Sequence, residues 1–152
     1  ACGLQIGKQT VNAIYDWDNY STYYHKDLLG ANNNIIISSP VISGPKVYEL
    51  INLLKEKQMS GVQITIVTWA PDSYRFGDAA YWMQLHEDMR QAGFYIKTVE
   101  ESCERFAVID QEVVWYGNIN LLAKDKVDDS IMRILSKEIA SELMEITFGD
   151  NG

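Results

Sequence analysis

Proline, histidine and cysteine are scarce in this 152-residue chain, at three, two and two copies. The two thiols, Cys2 and Cys103, stand alone, and neither a Cys-x-x-Cys nor a His-x-x-x-His pair occurs. That pattern argues against a disulfide framework and a structural zinc site, and no metal or cofactor is expected. No apolar run approaches the roughly eighteen residues of a membrane span. Basic residues are in deficit, with 13 Lys and Arg against 21 Asp and Glu and a formal net charge of −8. Phosphate affinity comes largely from Lys and Arg, so strong nonspecific nucleic-acid binding by the isolated domain is disfavoured. A local basic groove remains compatible with that charge; its grip would be shared with another domain or a second subunit. The opening residues Ala1 to Lys8 lack the charged start and apolar stretch of a secretory signal, which makes the cytoplasm the expected location.

What is present suits one domain spanning residues 1–152, with 47% hydrophobic residues and enough length to bury a core. Residues 1–10 are weakly patterned and read as a linker or boundary segment of a longer protein. Positions 13, 17, 20, 24 and 28 keep a helical period, which predicts that at least part of the aromatic segment from Val11 to Leu29 is an amphipathic helix. Ile35 to Pro40 reads as a buried strand stopped by proline. Val47, Leu50, Ile51 and Leu54 mark a helix with Pro45 in its first turn. Val62 to Trp69 is a second strand, Ala79 to Ala92 a helix stopped by Gly93, and Phe94 to Val99 a third strand. Arg105 to Asp110 and Val113 to Tyr116 form a predicted hairpin around Gln111-Glu112. Ser130 to Leu135 is a sixth strand, and Ser136 caps a last helix with Ile139, Leu143 and Ile146 on its inner face. Strands alternating with helices, followed by a hairpin, predict an α/β sandwich with a mixed sheet.

The densest chemistry lies in Cys103-Glu-Arg105, Asp110 and Gly117-Asn118-Ile-Asn120. These intervals resemble the phospholipase D superfamily signature, His-x-Lys-x4-Asp-x6-Gly-Ser-x-Asn, with every spacing kept. Cys103 stands where that family has His, Arg105 where it has Lys, and Asn118 where it has Ser; Asp110, Gly117 and Asn120 match. Asp129 corresponds to a downstream acid of many members. The strand ending Ser38-Ser-Pro40, the following helix and Gly61-Val-x-Ile-x-Ile66 share the family's layout. Val114-Trp-Tyr-Gly-x-Ile-Asn-Leu-Leu122, with Met132-Arg-Ile134, is most similar to the branch found at the C-terminus of large bacterial helicase-like ATPases.

The resemblance implies a phospholipase D-like sandwich and two-step displacement on a phosphodiester. In that scheme one motif copy's His attacks phosphorus and a second copy's His serves as acid and base, while Lys and Asn hold the phosphate oxygens. A one-copy chain is then expected to form a homodimer with its motifs facing each other. Arg105 keeps the positive charge in a planar fork suited to phosphate, and Asn120 can donate to an oxyanion. Asn118 changes the length and geometry of the Ser position. Asp110, at a strand end, either orients neighbours or ends the hairpin. A Cys103 thiol is a poor general acid and base at neutral pH, so a small buried residue left after the nucleophile was lost is the favoured reading.

The expected function is a degenerate phosphodiesterase or nuclease-type domain of a helicase-like DNA-processing protein. It would bind a phosphate backbone or mediate dimerisation with weak or no hydrolysis. The alternative is an active phosphodiesterase or nuclease using Cys103 in place of His. His25-Lys26-Asp27 and His86 read as solvated helix surface, and Asp125, Asp128 and Asp129 as a solvated acidic loop. For the aromatics from Tyr15 to Tyr24, packing over the sheet is the simpler reading and stacking on nucleic-acid bases the other. Trp69 either lines a cleft or closes the core.

Overall fold

The computed structural model describes residues 13–71, 79–100, 103–123 and 129–149. The expected N-terminal linker, Cys2, Asp125 and Asp128 lie outside them. Among these described residues, seven strands form one mixed sheet: β1 (Ala13–Asp16), β2 (Asn34–Ser38), β3 (Gln63–Trp69), β4 (Tyr95–Val99), β5 (Phe106–Ile109), β6 (Val113–Gly117) and β7 (Ser130–Leu135). Their order is β1-β7-β6-β5-β2-β3-β4. Strands β2, β3 and β4 run parallel, and every other pairing is antiparallel. The helices are α1 (Tyr20–Leu29), α2 (Gly44–Met59), α3 (Ala79–Gln91) and α4 (Lys137–Phe148). Among the described residues no helix is long and apolar enough to cross a membrane.

Alternation along the strands sorts the core into two layers. Ile35 and Ile37 of β2, with Ile64 and Ile66 of β3, pack against Tyr24 and Leu28 of α1, Val47 and Leu54 of α2, and Leu85 and Met89 of α3. Ile36, Val67, Phe106, Val108 and Val114 point the other way, onto Ala140 and Leu143 of α4. A central strand covered on both faces needs apolar residues at every position, which is why Ile35-Ile36-Ile37 does not alternate.

Three expectations need correction. Ala13–Asp16 is an edge strand paired with β7, where the helical period had included Ala13. The helix starts only after a turn in which Asp16 Oδ1 accepts the Asp18 and Asn19 N–H groups at 3.0 and 3.1 Å. Such side-chain capture of nearby backbone favours a turn over a continuing helix. Ile146 is 69% exposed. The buried stripe of α4 is centred on Ala140 and Leu143, and at 100° per residue Ile146 falls roughly 90° away from it. The hairpin turns on Asp110 and Gln111, both at positive φ (54° and 59°), with the Glu112 N–H closing onto Ile109 O at 3.1 Å. Ser136 does cap α4, its hydroxyl accepting the Ile139 N–H at 3.1 Å.

Candidate phosphodiester site

The β5–β6 register puts Phe106 opposite Tyr116, and β2 pairs Ser38 with the same Phe106. Cys103 and Arg105, which enter β5, therefore meet the end of β2 and the loop leaving β6. This is the carboxyl end of the parallel strands, where open α/β sheets leave room for ligands. Arg105 and Asn120, both half-buried, meet there, with Arg105 Nε donating to Asn120 Oδ1 at 3.1 Å. The two terminal guanidinium nitrogens make no hydrogen bond with the described residues. Asn118 is exposed at the same end, its backbone N–H donating to Ser130 O at 3.0 Å. Asp129 is half-buried beside it and accepts the Trp17 N–H on its carbonyl at 3.1 Å. Gly117 is required by close approach, since a Cβ there would meet Ser130 O at 2.5 Å and Ile131 Cα at 2.6 Å.

Asp110 lies elsewhere. Five strand steps from Arg105, about 16 Å at ~3.3 Å each, it accepts the Asn32, Asn33 and Asn34 N–H groups at 2.9, 2.7 and 3.1 Å. It both turns the hairpin and ties it to the start of β2, so the two open readings combine in one structural role.

Cys103 is half-buried, not fully enclosed, and its sulfur sits 3.4 Å from Ser38 Oγ. Burial pushes the thiol above its ordinary value, against the opposing pull of the Arg105 charge. Ser38 adds little to that pull, because its single proton is committed to Glu104 O at 2.6 Å. Burial thus favours the thiol form of Cys103 over the thiolate that would act as a nucleophile.

Residue-by-residue reading missed the buried hydroxyls that build this end of the sheet. Ser39 donates to Val41 O at 2.7 Å and accepts the Leu122 N–H at 3.2 Å, joining the loop after β2 to the loop after β6. Thr68 donates to Pro40 O at 3.0 Å. Glu104 accepts the Tyr116 hydroxyl at 2.8 Å. The available signal was Ser38-Ser39 abutting an apolar run, since hydroxyls at a buried strand end need partners. His86 was also misread: it is 1% exposed, both ring nitrogens lack a hydrogen-bond partner among the described residues, and burial, then Arg90, pulls its pKa down. Nor is Asp27 solvated. It accepts Trp115 Nε1 at 2.8 Å and pairs with Arg133 at 2.6 Å. No cluster of metal-ligating side chains occurs among the described residues.

A mixed sheet with this motif at its carboxyl end defines a phosphodiesterase or nuclease-type fold. A family model described as "Cardiolipin synthase, PLD-like domain" matches residues 24–148, and the chain belongs to that family of phospholipase D-like domains. Its fold is similar to that of NucT from Helicobacter pylori, with a TM-score of 0.70 at 10% identity, covering 91% of this chain and 94% of that one. Nuc from Salmonella typhimurium, described as a phospholipase D family member, gives 0.71 at 13% identity and 91% of both chains. TrmBL2, an archaeal chromatin protein whose structure is described as showing a novel mode of DNA binding, gives 0.62 at 13% identity. There the match covers 93% of this chain and 52% of that one. No curated protein sequence matches the chain.

Proposed function

We propose that this domain binds a phosphodiester of a nucleic-acid backbone at Arg105, Asn118 and Asn120 and hydrolyses it weakly or not at all. The observation carrying this reading is the Arg105–Asn120 contact at 3.1 Å beside a half-buried Cys103 thiol. The cation and amide able to hold phosphate oxygens are joined, while burial raises the pKa of the thiol at the His position. The domain works as a homodimer across the motif face, within a helicase-like DNA-processing protein in the cytoplasm. The match of Val114 to Leu122 with that branch supports the last point, and a parent gene without an ATPase domain would remove it.

The test separates binding from turnover. Fluorescence anisotropy with a labelled single-stranded oligonucleotide should show Arg105→Ala weakening binding about tenfold or more, the worth of a charge-assisted contact. The same variant should lower the salt slope by about one. Hydrolysis of a nitrophenyl phosphodiester should be near background, and Cys103→His with Arg105→Lys and Asn118→Ser should raise it. Wild-type hydrolysis abolished by Cys103→Ala would instead establish an active enzyme. Unchanged affinity in Arg105→Ala would remove the binding site.

A further inference from the structure

A cleft of about 650 Å³ opens at the motif end of the sheet, between the first turns of α1 and α2 and the loop after β6. Its size lies within the roughly 300–1,000 Å³ of small-molecule sites. Trp17, Tyr20 and Ile119 give it an apolar wall, while Ser43, Lys46 and Glu49 bring polar groups to it. Ile119 lies between Asn118 and Asn120, so one short loop supplies both the phosphate site and the cleft wall. Trp17 is half-buried, and its backbone N–H bond to Asp129 O at 3.1 Å fixes it against the start of β7. Most of the aromatic segment is spent on packing, with Tyr20 and Tyr24 buried and Tyr15 stacked on Tyr23 at 4.8 Å. Tyr23 stays 48% exposed, and Trp17 likewise lies outside the core clusters; of these two it is Trp17 that lines the cleft.

Resting on the phosphodiester reading above, we propose that this cleft receives a nucleobase next to the bound phosphate, stacked on Trp17. Single-stranded nucleic acid is then the ligand, because a base held in a duplex cannot turn its face to a side chain. The polar groups decide between a base and a lipid chain. A hydrocarbon chain would desolvate Lys46, Glu49 and the Ser43 hydroxyl without giving them partners. An anionic headgroup would meet the Glu49 carboxylate, whose charge Lys46 offsets from 3.8 Å away. A base brings a π-face for the indole and a neutral polar edge for these groups.

The experiment compares a labelled eight-residue oligothymidylate with an abasic strand of the same length, by anisotropy on the whole chain. Trp17→Leu keeps apolar volume but removes the ring, and should weaken the oligothymidylate about tenfold, the worth of one stacked base. The abasic strand should be unaffected, and Trp17→Phe should keep most of the affinity. Arg105→Ala should weaken both strands equally. Unchanged oligothymidylate affinity in Trp17→Leu, or equal loss for both strands, overturns the nucleobase cleft while the Arg105 result leaves the phosphate reading standing. Absence of wild-type binding to either strand overturns both readings. Phosphatidylglycerol vesicles bound by wild type and lost in Trp17→Leu, with no oligonucleotide bound, would assign the cleft to lipid and overturn the base.

Discussion

At Cys103 the environment matters as much as the residue type. A cysteine beside an arginine ordinarily suggests a reactive thiolate, because the cation favours the charged form. Here burial outweighs Arg105, and the folded-state pKa is raised. For an acid whose pKa rises on folding, stability is fully present below the unfolded value and is lost as pH climbs through the folded one. Alkylation should follow the same titration. Iodoacetamide labelling of the Cys103 peptide, followed by mass spectrometry, should be slower at pH 7.5 than in urea-unfolded protein, with the gap closing as pH rises above the ordinary thiol range. Labelling at pH 7.5 as fast as in the unfolded chain would show an activated thiolate and revive cysteine-based turnover. The motif spacing was legible in the sequence because a hairpin of fixed register preserves it. The pKa shift of its first residue was not, because it follows from burial, and the groups around the sulfur, Ser38 among them, lie as far as 65 residues away.

Elements were legible wherever local pattern determined them. The β2 run, the Pro45 start of α2 and the Ser136 cap of α4 each depend on neighbours within a few residues. β1 was missed because four residues with one exposed isoleucine become a strand only by pairing with β7, more than a hundred residues on. Asp27 was misjudged for the same reason, its partner Arg133 being 106 residues away. This carboxylate fastens α1 to β6 and β7 by accepting from Trp115 Nε1 and from two nitrogens of Arg133. The side chains of Asp27 and Arg133 are only 16% and 21% exposed, so solvent screens the pair incompletely. Asp27→Ala would strand a buried indole N–H and an unpaired guanidinium, at a cost of about 3 kcal/mol. Asp27→Asn, which keeps an acceptor, should cost about half as much. Urea unfolding midpoints measure both, and a loss below about 0.5 kcal/mol in Asp27→Ala would mean that the pair behaves as an ordinary surface contact.

Across the whole molecule, the polar ends of β2, β5, β6 and β7 gather at one end of the sheet, and both the Arg105–Asn120 pair and the Trp17 cleft open there. One copy supplies one such pair, and a homodimer with facing motifs would supply two to a single phosphate. Such an association would work against charge, since two protomers of −8 repel each other. Added salt should therefore strengthen the dimer, with most of the gain complete once the Debye length falls to about 8 Å near physiological ionic strength. Cys103 offers a direct probe of the face used, because facing motifs would bring its two copies close together. In a Cys2→Ser background at pH 8, a short bismaleimide should bridge the two Cys103 thiols into a covalent dimer, and an excess of a phosphodiester oligonucleotide should slow the bridging by occupying the site. Sedimentation equilibrium on the same samples gives the oligomeric state independently. A dimer by sedimentation with no bridge would place the contact on another face; a monomer at tens of micromolar in physiological salt would end the facing-motif homodimer for this chain. Bridging that the oligonucleotide slows would tie association and phosphate binding to the same end of the sheet.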